Sequence, residues 1–319
     1  MTYNFAVIGA GGYIAPRHFR AIRDTGNRLV AAVDPKDSVG ILDQFGFEVR
    51  FFTEIERFDR HLEKLRRGPE ENRVHYVSIC SPNYLHDAHC RLALRVGADA
   101  ICEKPLVINP WNVDALAELE AESGHKINTV LQLRVHPALL ALKAQLQQNP
   151  THGQREVVLS YITSRGNWYH VSWKGQPEKS GGIATNIGIH FFDMLLWLFG
   201  PAGDIKVYHA DNKRMSGFIE LEHARVRWFL SVDPADLPYP VQPGGKTTYR
   251  SITVDGQEIE FSEGFTDLHT VLYQETLAGR GFGLEEARPS IELTYRIRTA
   301  PLSPLDSLAH PFLATHKHE

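Results

Sequence analysis

The chain of 319 residues is poor in cysteine and has no long apolar run. Cysteine occurs three times, and Cys80 and Cys102 lie in apolar strand patterns, which favours buried thiols over disulfides or a metal site. No apolar run approaches the length of a membrane span, and no basic stretch precedes the apolar N-terminal segment. These absences predict a cytoplasmic protein.

Positive charge is not concentrated in any stretch, and the formal net charge is −4. Neither nucleic acid nor a membrane is therefore expected as a partner. Histidine occurs 16 times, but HExxH, CxxC and clusters of histidine and carboxylate with ligand spacing are all absent from the sequence. The sequence accordingly predicts no structural metal.

Two domains are predicted from length and pattern. With 43% hydrophobic and 23% charged residues, the composition is that of a globular protein. Strand-like runs alternate with helical periodicity over residues 1–125, which predicts an α/β domain with a doubly wound parallel sheet of Rossmann type. Residues 126–319 predict an α+β domain with a large open, mainly antiparallel sheet.

The individual elements follow from the same patterns. Strands of the parallel sheet are predicted at Tyr3–Ile8, Arg28–Val33, Glu48–Phe52, Val74–Cys80, Asp99–Cys102 and Lys126–Leu133, and its helices at Ala15–Thr25, Ile55–Arg67, Leu85–Val96 and Asn109–Ser123. Later helices are predicted at Pro137–Gln148 and Ile187–Phe199, and later strands at Glu156–Thr163, Ile205–His209, Gly217–Leu221, Ala224–Val232, Arg250–Val254 and Gln257–Phe261. Residues 164–180 are predicted to form a polar and aromatic loop, and residues 301–319 an extended arm.

A glycine-rich turn follows the first predicted strand. It contains Gly9, Gly11 and Gly12, and Pro16 opens the helical pattern after it. Without a Cβ, the backbone at these glycines can approach a pyrophosphate, while the N-terminus of the next helix attracts an anion. Ile14 stands where a third glycine is usual, so the turn alone is a weak signal of a dinucleotide.

Asp34 strengthens that signal because it ends the second predicted strand, twenty residues after Ile14. A carboxylate in this position can bind the adenosine ribose hydroxyls of a dinucleotide. Because it also repels a 2′-phosphate, NAD is favoured over NADP, although Lys36 lies close enough to leave the choice open. The alternative is a tight turn, without an anion, in some other α/β protein.

Two more motifs end strands at the same predicted edge of the sheet. Residues 81–86 (SPNYLH) follow the fourth strand, and Glu103, Lys104 and Pro105 follow the fifth. Ligands of doubly wound sheets bind at the carboxyl ends of the strands. Desolvation and a nearby nicotinamide charge can lower the pKa of Lys104, which would then share a proton with a substrate hydroxyl. The alternative is a solvated lysine at a strand end.

In the second domain, a glycine-rich segment from Ser180 leads into a helix. His190 and Asp193 are three residues apart and therefore lie on one helical face. Histidine titrates near neutral pH and suits removal of an alcohol proton while hydride leaves the same carbon, and the carboxylate can orient it. The alternative is a histidine that is satisfied within an apolar core.

Taken in order, the turn GAGGYI, the motifs SPNYLH and EKP, and the segment leading to His190 resemble the Gfo/Idh/MocA family of nicotinamide-dependent sugar oxidoreductases. The resemblance covers essentially the whole chain and implies hydride transfer on a sugar or cyclitol. Lys104 matches the family's EKP lysine and His190 its catalytic histidine. Asn186 stands where the family usually has aspartate, and an amide cannot act as an acid or base, so Asn186 is expected to bind a substrate hydroxyl. The family also implies a homotetramer or dimer built through the C-terminal sheet.

Residues 167–200 and 281–293 resemble the WlbA branch of that family, the UDP-N-acetyl-glucosaminuronate 3-dehydrogenases. This branch acts in the biosynthesis of diacetamido uronic acids of bacterial surface polysaccharide (O-antigen). The resemblance implies that UDP-2-acetamido-2-deoxy-D-glucuronate is oxidised to its 3-keto form. The loop suits that ligand because it offers two cations and the flat rings of Trp168, Tyr169 and Trp173, although these rings can equally pack under the loop. The substrate-binding residues are predicted to be Lys104, Arg165, Trp168, Tyr169, Lys174, Thr185, Asn186 and His190.

The cofactor is predicted to lie across the strand ends, with pyrophosphate on the turn, one ribose at Asp34, the other at Glu103 and the nicotinamide ring near Gln132. Its predicted binding residues are Gly9, Gly11, Gly12, Tyr13, Ile14, Asp34, Ser81, Asn83, His86, Glu103, Lys104 and Gln132. His190 is predicted to take the 3-hydroxyl proton while Lys104 orients that oxygen, and the reverse assignment stays open. Two alternatives remain: a family member that acts on another sugar or inositol, and a non-catalytic regulator that senses NAD.

Overall fold

The computed structural model describes residues 2–149, 153–240, 245–259 and 267–315. The chain divides into two compact units, the first made of Met1–Val135 and Thr266–Arg288 and the second of His136–Phe265 and Pro289–Glu319. The first unit therefore includes residues 266–288, which the sequence analysis assigned to the second domain.

Strands and helices in the described residues are numbered in chain order. The strands are β1 Asn4–Ile8, β2 Arg28–Val33, β3 Arg50–Phe52, β4 Tyr76–Ile79, β5 Asp99–Cys102, β6 Ile127–Thr129, β7 Arg155–Thr163, β8 Ala202–Ala210, β9 Arg214–Leu221, β10 Ala224–Ser231, β11 Thr248–Val254 and β12 Gln257–Glu258. The helices are α1 Ala15–Asp24, α2 Ile55–Arg66, α3 His86–Arg95, α4 Trp111–Ser123, α5 Pro137–Gln148, α6 Trp168–Val171, α7 Pro177–Ser180, α8 Ile189–Phe199, α9 Leu268–Leu277, α10 Leu284–Thr299 and α11 Pro311–Thr315.

The first unit contains a six-stranded parallel sheet in the order β3-β2-β1-β4-β5-β6. This confirms the predicted doubly wound sheet. The strand order changes direction where β1 lies beside both β2 and β4, and ligands of such sheets bind at the carboxyl ends of the strands around that point. The glycine turn after β1 lies at this point.

Helix α9 completes the core of the first unit although it is distant in sequence. All five residues of β1 are buried, as a central parallel strand requires. Phe19 and Ile22 of α1 pack in the same apolar cluster as Leu272 and Tyr273 of α9. Burying a side chain of that size contributes about 2 kcal/mol, so the returning segment is part of what stabilises the unit.

The second unit contains a six-stranded mixed sheet in the order β12-β11-β7-β10-β9-β8. The pairing of β7 with β10 is parallel and the other pairings are antiparallel, which confirms the mainly antiparallel sheet. Strands β11 and β12 form the predicted hairpin at Asp255 and Gly256. Both residues have positive φ angles, 50° and 82°, which the Asp-Gly pair tolerates in a tight turn.

Several predicted bounds differ from those observed. The last parallel strand was predicted to reach Leu133, but β6 ends at Thr129 and residues 132–135 form a 3₁₀ turn. Residues 164–180 contain the short helices α6 and α7, and the arm predicted as extended contains α11. Helices α9 and α10 had no counterpart in the prediction. The end of the strand predicted at Gln257–Phe261 lies partly outside the described residues.

An apolar helical segment, Pro177–Phe199, is long enough to cross a membrane by length and composition alone. However, 72% of its most apolar window is buried within the fold, as in the core helix of a globular protein. The prediction of buried thiols is confirmed, because all three cysteines are free and buried. Burial raises the pKa of the Cys80 and Cys102 thiols, which makes them unreactive.

His310 anchors the C-terminal segment to the sheet of the second unit. Its Nε2 lies 3.0 Å from Ser160 Oγ, and its Nδ1 accepts a hydrogen bond from the backbone N–H of Phe312 at 3.1 Å. The ring is 2% exposed, and burial, with a smaller contribution from the charge of Arg227, lowers its pKa to about 3. His310 is therefore neutral in the folded protein across the physiological range.

We predict that replacing His310 reduces the acid sensitivity of the fold. Below a pH of about 6.5 the unfolded chain binds a proton at His310 that the folded chain does not. The free energy of unfolding therefore decreases as the pH is lowered from about 6.5 to about 3. Between pH 7 and pH 5 the loss is about 2 kcal/mol. In His310→Asn, Oδ1 can still accept from Phe312 N–H but does not titrate.

Thermal unfolding of both proteins at pH 7 and pH 5 measures the effect. The melting temperature of His310→Asn should drop less between the two values than that of the wild type. An equal drop would show that His310 is not responsible for the acid sensitivity.

Candidate active site

The glycine turn after β1 needs glycine for two separate reasons. Gly9 has a φ of 87°, and a Cβ there would lie 2.6 Å from the backbone carbonyl carbon of Cys80. At Gly11 a Cβ would come within 3.2 Å of Asp34 Cγ. The turn is therefore packed against the loops that follow β4 and β2, and larger residues would push these loops apart.

Asp34 joins the end of β2 to this turn. Its Oδ2 accepts a hydrogen bond from the backbone N–H of Gly11 at 2.9 Å, and its Oδ1 accepts one from Lys36 N–H, also at 2.9 Å. Each carboxylate oxygen keeps a lone pair for a further donor. The structure thus brings Gly11 and Asp34 together as the sequence predicted, with the carboxylate already oriented by backbone donors.

Helix α1 begins directly behind the turn. Its N-cap is Ile14, whose side chain makes no capping hydrogen bond, and Pro16 lies in the first turn of the helix. The cap side chain therefore supplies no acceptor here; the N–H groups of Ala15 and Arg17 bond the carbonyls of Gly12 and Ile14, and the positive end of the helix dipole is what favours an anion. Tyr13 is 89% exposed beside them.

The motifs after β4 and β5 are joined by His86. One ring nitrogen lies 2.7 Å from the carbonyl oxygen of Pro105 and the other 2.8 Å from that of Ser81. The ring is 1% exposed, and burial lowers its pKa although both carbonyl contacts raise it. His86 therefore holds the two loops together from within, and its predicted contact with the cofactor stays a prediction.

Of the neighbouring predicted residues, Ser81 and Asn83 are buried and Lys104 is half-buried. Ser81 Oγ lies 2.8 Å from Nδ1 of His89, whose pKa burial lowers to about 4. Asn83 is 5% exposed in the same loop, and Lys104 is half-buried, with a cis peptide bond between it and Pro105.

Glu103 lies in a cluster that sequence reasoning missed. His18 and His269 both place Nε2 3.0 Å from its Oε1. Their donor and acceptor atoms all lie within 4.8 Å of one another, as in a metal site, so the prediction of no metal stays a prediction. His18 lies in the helix that follows the glycine turn, four residues after Ile14, and this position was an available signal that it lies near the binding edge. His269 lies 166 residues from Glu103 and carried no local signal.

Two buried oxygens near the end of β6 lack a partner. Among the described residues, none hydrogen-bonds to Gln132 Oε1 or to Thr129 Oγ1. An unpaired buried oxygen is costly unless a ligand or water supplies a donor. Gln132 was predicted to lie near the nicotinamide, whose carboxamide can supply such a donor, and Thr129 was not predicted.

In the second unit, the glycine-rich segment forms a π-helical turn at residues 184–188, immediately before α8. Turns of this kind are frequent at functional sites. Thr185 is 0% exposed, and no described residue bonds its Oγ1. Asn186 donates a hydrogen bond from Nδ2 to Tyr169 Oη at 3.2 Å. The turn thus aligns a hydroxyl and an amide ahead of His190, which is half-buried in the first turn of α8.

The aromatic loop of the second unit contains two neighbouring cations. Burial, and then the charge of Arg165, lowers the pKa of Lys174. Lys174 Nζ lies 4.1 Å from the centre of the Trp173 ring, and no hydrogen bond to a described residue satisfies the buried Arg165 Nε. Two adjacent cations repel each other, and an anion bound between them would relieve that repulsion. Trp168 is 53% exposed in the same loop, whereas Tyr169 is buried.

These features fit a dinucleotide in the first unit. The turn presents backbone without Cβ and an uncapped helix end to a pyrophosphate, and Asp34 presents oriented oxygens to a ribose. Lys104 and the unpaired Gln132 oxygen lie at the ends of β5 and β6, where the second half of a dinucleotide would lie. In the second unit, Thr185, Asn186 and Arg165 suit a ligand rich in hydroxyl groups and negative charge.

The sequence matches two profiles of one family. Residues 3–130 match the NAD-binding Rossmann fold of the Gfo/Idh/MocA oxidoreductases, and residues 155–232 match their C-terminal α/β domain. Among curated proteins, a putative UDP-kanosamine synthase oxidoreductase subunit of Amycolatopsis mediterranei is 32% identical over 51% of this chain and 45% of its own length. The chain spans about half the length of the curated relatives it matches.

Solved structures give a fuller match. The WlbA (WbpB) dehydrogenase of Thermus thermophilus, in complex with NAD and α-ketoglutarate, is 55% identical, with a TM-score of 0.92, over 98% of this chain and 100% of that one. The WlbA (WbpB) dehydrogenase of the same organism in complex with NAD and UDP-GlcNAcA is 54% identical, with the same TM-score and coverage. Since both profiles and a whole-length likeness agree, the chain belongs to the Gfo/Idh/MocA oxidoreductase family.

Proposed function

We propose that the protein is an NAD-dependent dehydrogenase that oxidises the 3-hydroxyl of UDP-2-acetamido-2-deoxy-D-glucuronate to the 3-keto sugar. The observation that carries the proposal is the 55% identity over 98% of the chain to a WlbA dehydrogenase, together with the 54% identity to the same kind of enzyme in complex with NAD and UDP-GlcNAcA. The product would enter the biosynthesis of diacetamido uronic acids of surface polysaccharide. We infer a cytoplasmic location, because nucleotide sugars and NAD are available there.

The cofactor would be held by the glycine turn, Asp34 and the loops after β4 and β5. When bound, NAD supplies the acceptor for the hydride that leaves the sugar C3. Gly9, Gly11 and Gly12 leave room for the pyrophosphate, and the loop with Ser81 and Asn83, together with His86 at the start of α3, would border it. The Asp34 carboxylate favours NAD over NADP because it would repel a 2′-phosphate.

The chemical step requires removal of a proton from the 3-hydroxyl as its carbon loses hydride. His190 takes that proton and Lys104 orients the oxygen and stabilises its developing negative charge, or the two exchange these roles. Asn186 cannot replace either, since an amide neither gives nor takes a proton at neutral pH. Its Oδ1 and the Thr185 hydroxyl instead bind sugar hydroxyls, which fixes the sugar for reaction.

Substrate charge is recognised in the loop of the second unit. Arg165 offers a planar fork of donors and Lys174 a second cation for the carboxylate or the diphosphate. The exposed ring of Trp168 offers a flat apolar surface to uracil or the sugar. We further propose a homotetramer or dimer through the sheet of the second unit, because the outer face of a large open sheet needs to be covered.

We predict that Lys104→Ala and His190→Ala lose turnover by about 10²–10⁴-fold while NAD binding changes little. Single-turnover reduction of NAD with the UDP-uronate, followed by absorbance, measures the first effect, and calorimetric titration with NAD the second. Near-normal turnover in either variant would contradict the role given to that residue.

Reduction of NAD with UDP-N-acetylglucosamine, glucose or inositol, and not with the UDP-uronate, would identify a family member of other specificity. A protein that binds NAD but oxidises none of these substrates would be a regulator.

We predict that Asp34→Asn shifts the cofactor preference. The amide oxygen can still accept from Gly11 N–H, so that contact is kept, while the negative charge and the bond from Lys36 N–H are lost. NADP binding should improve relative to NAD by about tenfold, a change of about 1.4 kcal/mol in relative affinity. The ratio of the two dissociation constants tests this, and an unchanged ratio would remove Asp34 from the ribose site.

We predict that Arg165→Ala weakens binding of the UDP-uronate by about tenfold to a hundredfold, the usual cost of losing a charge-assisted hydrogen bond. UDP-N-acetylglucosamine differs from this substrate in lacking the carboxylate, so it serves as the matched ligand. If Arg165 binds the carboxylate, the variant and the wild type should bind UDP-N-acetylglucosamine, which keeps the charged diphosphate, with equal affinity. An equal loss for both ligands would assign Arg165 to the diphosphate instead.

A further inference from the structure

A buried carboxylate is the centre of the cluster at the end of β5. The Glu103 side chain is 10% exposed, while those of His18 and His269 are 0% and 4% exposed. Both histidines place Nε2 3.0 Å from the same oxygen, Oε1. Burial opposes ionisation of Glu103, but the two hydrogen bonds outweigh it and hold its pKa well below the usual range. Glu103 is therefore an anion inside the first unit.

The cluster continues through two hydroxyl groups. His18 Nδ1 lies 2.7 Å from Tyr273 Oη, which lies 2.6 Å from Ser78 Oγ. Burial raises the pKa of Tyr273 well above its ordinary value, so the phenol keeps its proton. Burial lowers the pKa of His18, so its ring is neutral and carries one N–H.

One proton arrangement satisfies all of these contacts. Ser78 donates to Tyr273, Tyr273 donates to His18 Nδ1, and His18 must then carry its proton on Nε2, facing Glu103. His269 likewise donates from Nε2. A metal ion at the same place would need the lone pairs of both Nε2 atoms, which this arrangement replaces with N–H groups. The cluster is thus a chain of hydrogen bonds that ends on one carboxylate oxygen.

This arrangement makes the two oxygens of Glu103 unequal. Oε1 receives both histidine donors, whereas Oε2 receives a long bond, 3.3 Å, from the backbone N–H of Lys104. The lone pairs of Oε1 are occupied, and Oε2 is left as the acceptor for a ligand. A sugar hydroxyl is the donor that such an anionic oxygen binds well.

The order of the strands indicates which part of a dinucleotide Glu103 Oε2 would bind. Asp34 follows β2 and Glu103 follows β5, and β1 and β4 lie between these two strands. Three strand spacings separate them by roughly 14 Å, at about 4.8 Å per spacing. A mononucleotide bound at Asp34 does not extend that far, whereas the second ribose of a dinucleotide does.

We propose that His18 and His269 are positioning residues, which occupy Oε1 of Glu103 and so leave Oε2 to bind the ribose on the nicotinamide side of NAD. Tyr273 and Ser78 set the tautomer of His18. The inference rests on the NAD-binding part of the proposed function. It does not depend on the identity of the sugar substrate.

The test compares three ligands by calorimetric titration of the full chain: NAD, ADP-ribose and ADP. ADP-ribose contains the second ribose and ADP does not, so the difference between them isolates that group. His269→Leu removes one donor to Glu103, and His269→Gln retains an N–H that can reach the same oxygen. Tyr273→Phe removes the hydroxyl that fixes the His18 tautomer while preserving the ring.

His269→Leu should weaken the binding of both NAD and ADP-ribose by about tenfold, and Tyr273→Phe should weaken both by about threefold. The binding of ADP should not change in either variant. His269→Gln should restore binding to within about threefold of wild type. An equal loss for ADP and ADP-ribose would show a merely structural role, and no loss for ADP-ribose would show that Glu103 does not bind the second ribose. Either result overturns the proposal.

Two controls keep the outcome clear. If His269→Leu fails to fold, as judged by thermal unfolding, Tyr273→Phe and His269→Gln decide the question. Asp34→Ala should weaken all three ligands, since each contains the adenosine ribose. A wild type that binds ADP-ribose more tightly than ADP but oxidises no nucleotide sugar refutes the proposed function and leaves this test intact.

Discussion

The ionised carboxylate of Glu103 is the constraint on which the first unit depends. A charge buried to this degree is costly unless several donors are held around it. Its donors come from α1 at one end of the sequence and from α9 near the other. The chain must therefore return to the first unit after building the second, and α9 adds Leu272 and Tyr273 to the apolar core when it does so.

Close approach of backbone is the second organising feature. Gly9 allows the turn after β1 to lie against the backbone of Cys80, and His86 binds the loop that follows Cys80 to Pro105. Three consecutive strands of the sheet, β1, β4 and β5, thus have their carboxyl ends fixed to one another by contacts between the loops. A binding edge built in this way needs little rearrangement when a ligand arrives.

Local patterns were sufficient for most of the first unit. The bounds of β2 and β5 were predicted without error because each is a short apolar run with a clear break at both ends. β6 was predicted too long because its apolar pattern continues through Leu133, although the backbone has already turned. For the site, the turn and Asp34 were predicted to meet and do so. His269 was beyond prediction, since its partner lies 166 residues away and no local signal marks such a pair.

The discontinuous first unit also affects synthesis of the protein. A ribosome produces β1 to β6 early, but α9 appears only after the strands of the second sheet have been made. Until then, Phe5 and Phe19 lack the cover of Leu272 and Tyr273, and the Glu103 carboxylate lacks one of its two histidine donors. The nascent N-terminal segment is therefore an incomplete domain with exposed apolar surface, the kind of intermediate that chaperones bind. Folding of this protein cannot proceed strictly from the N-terminus, because the first unit is completed only after the strands of the second sheet have been made.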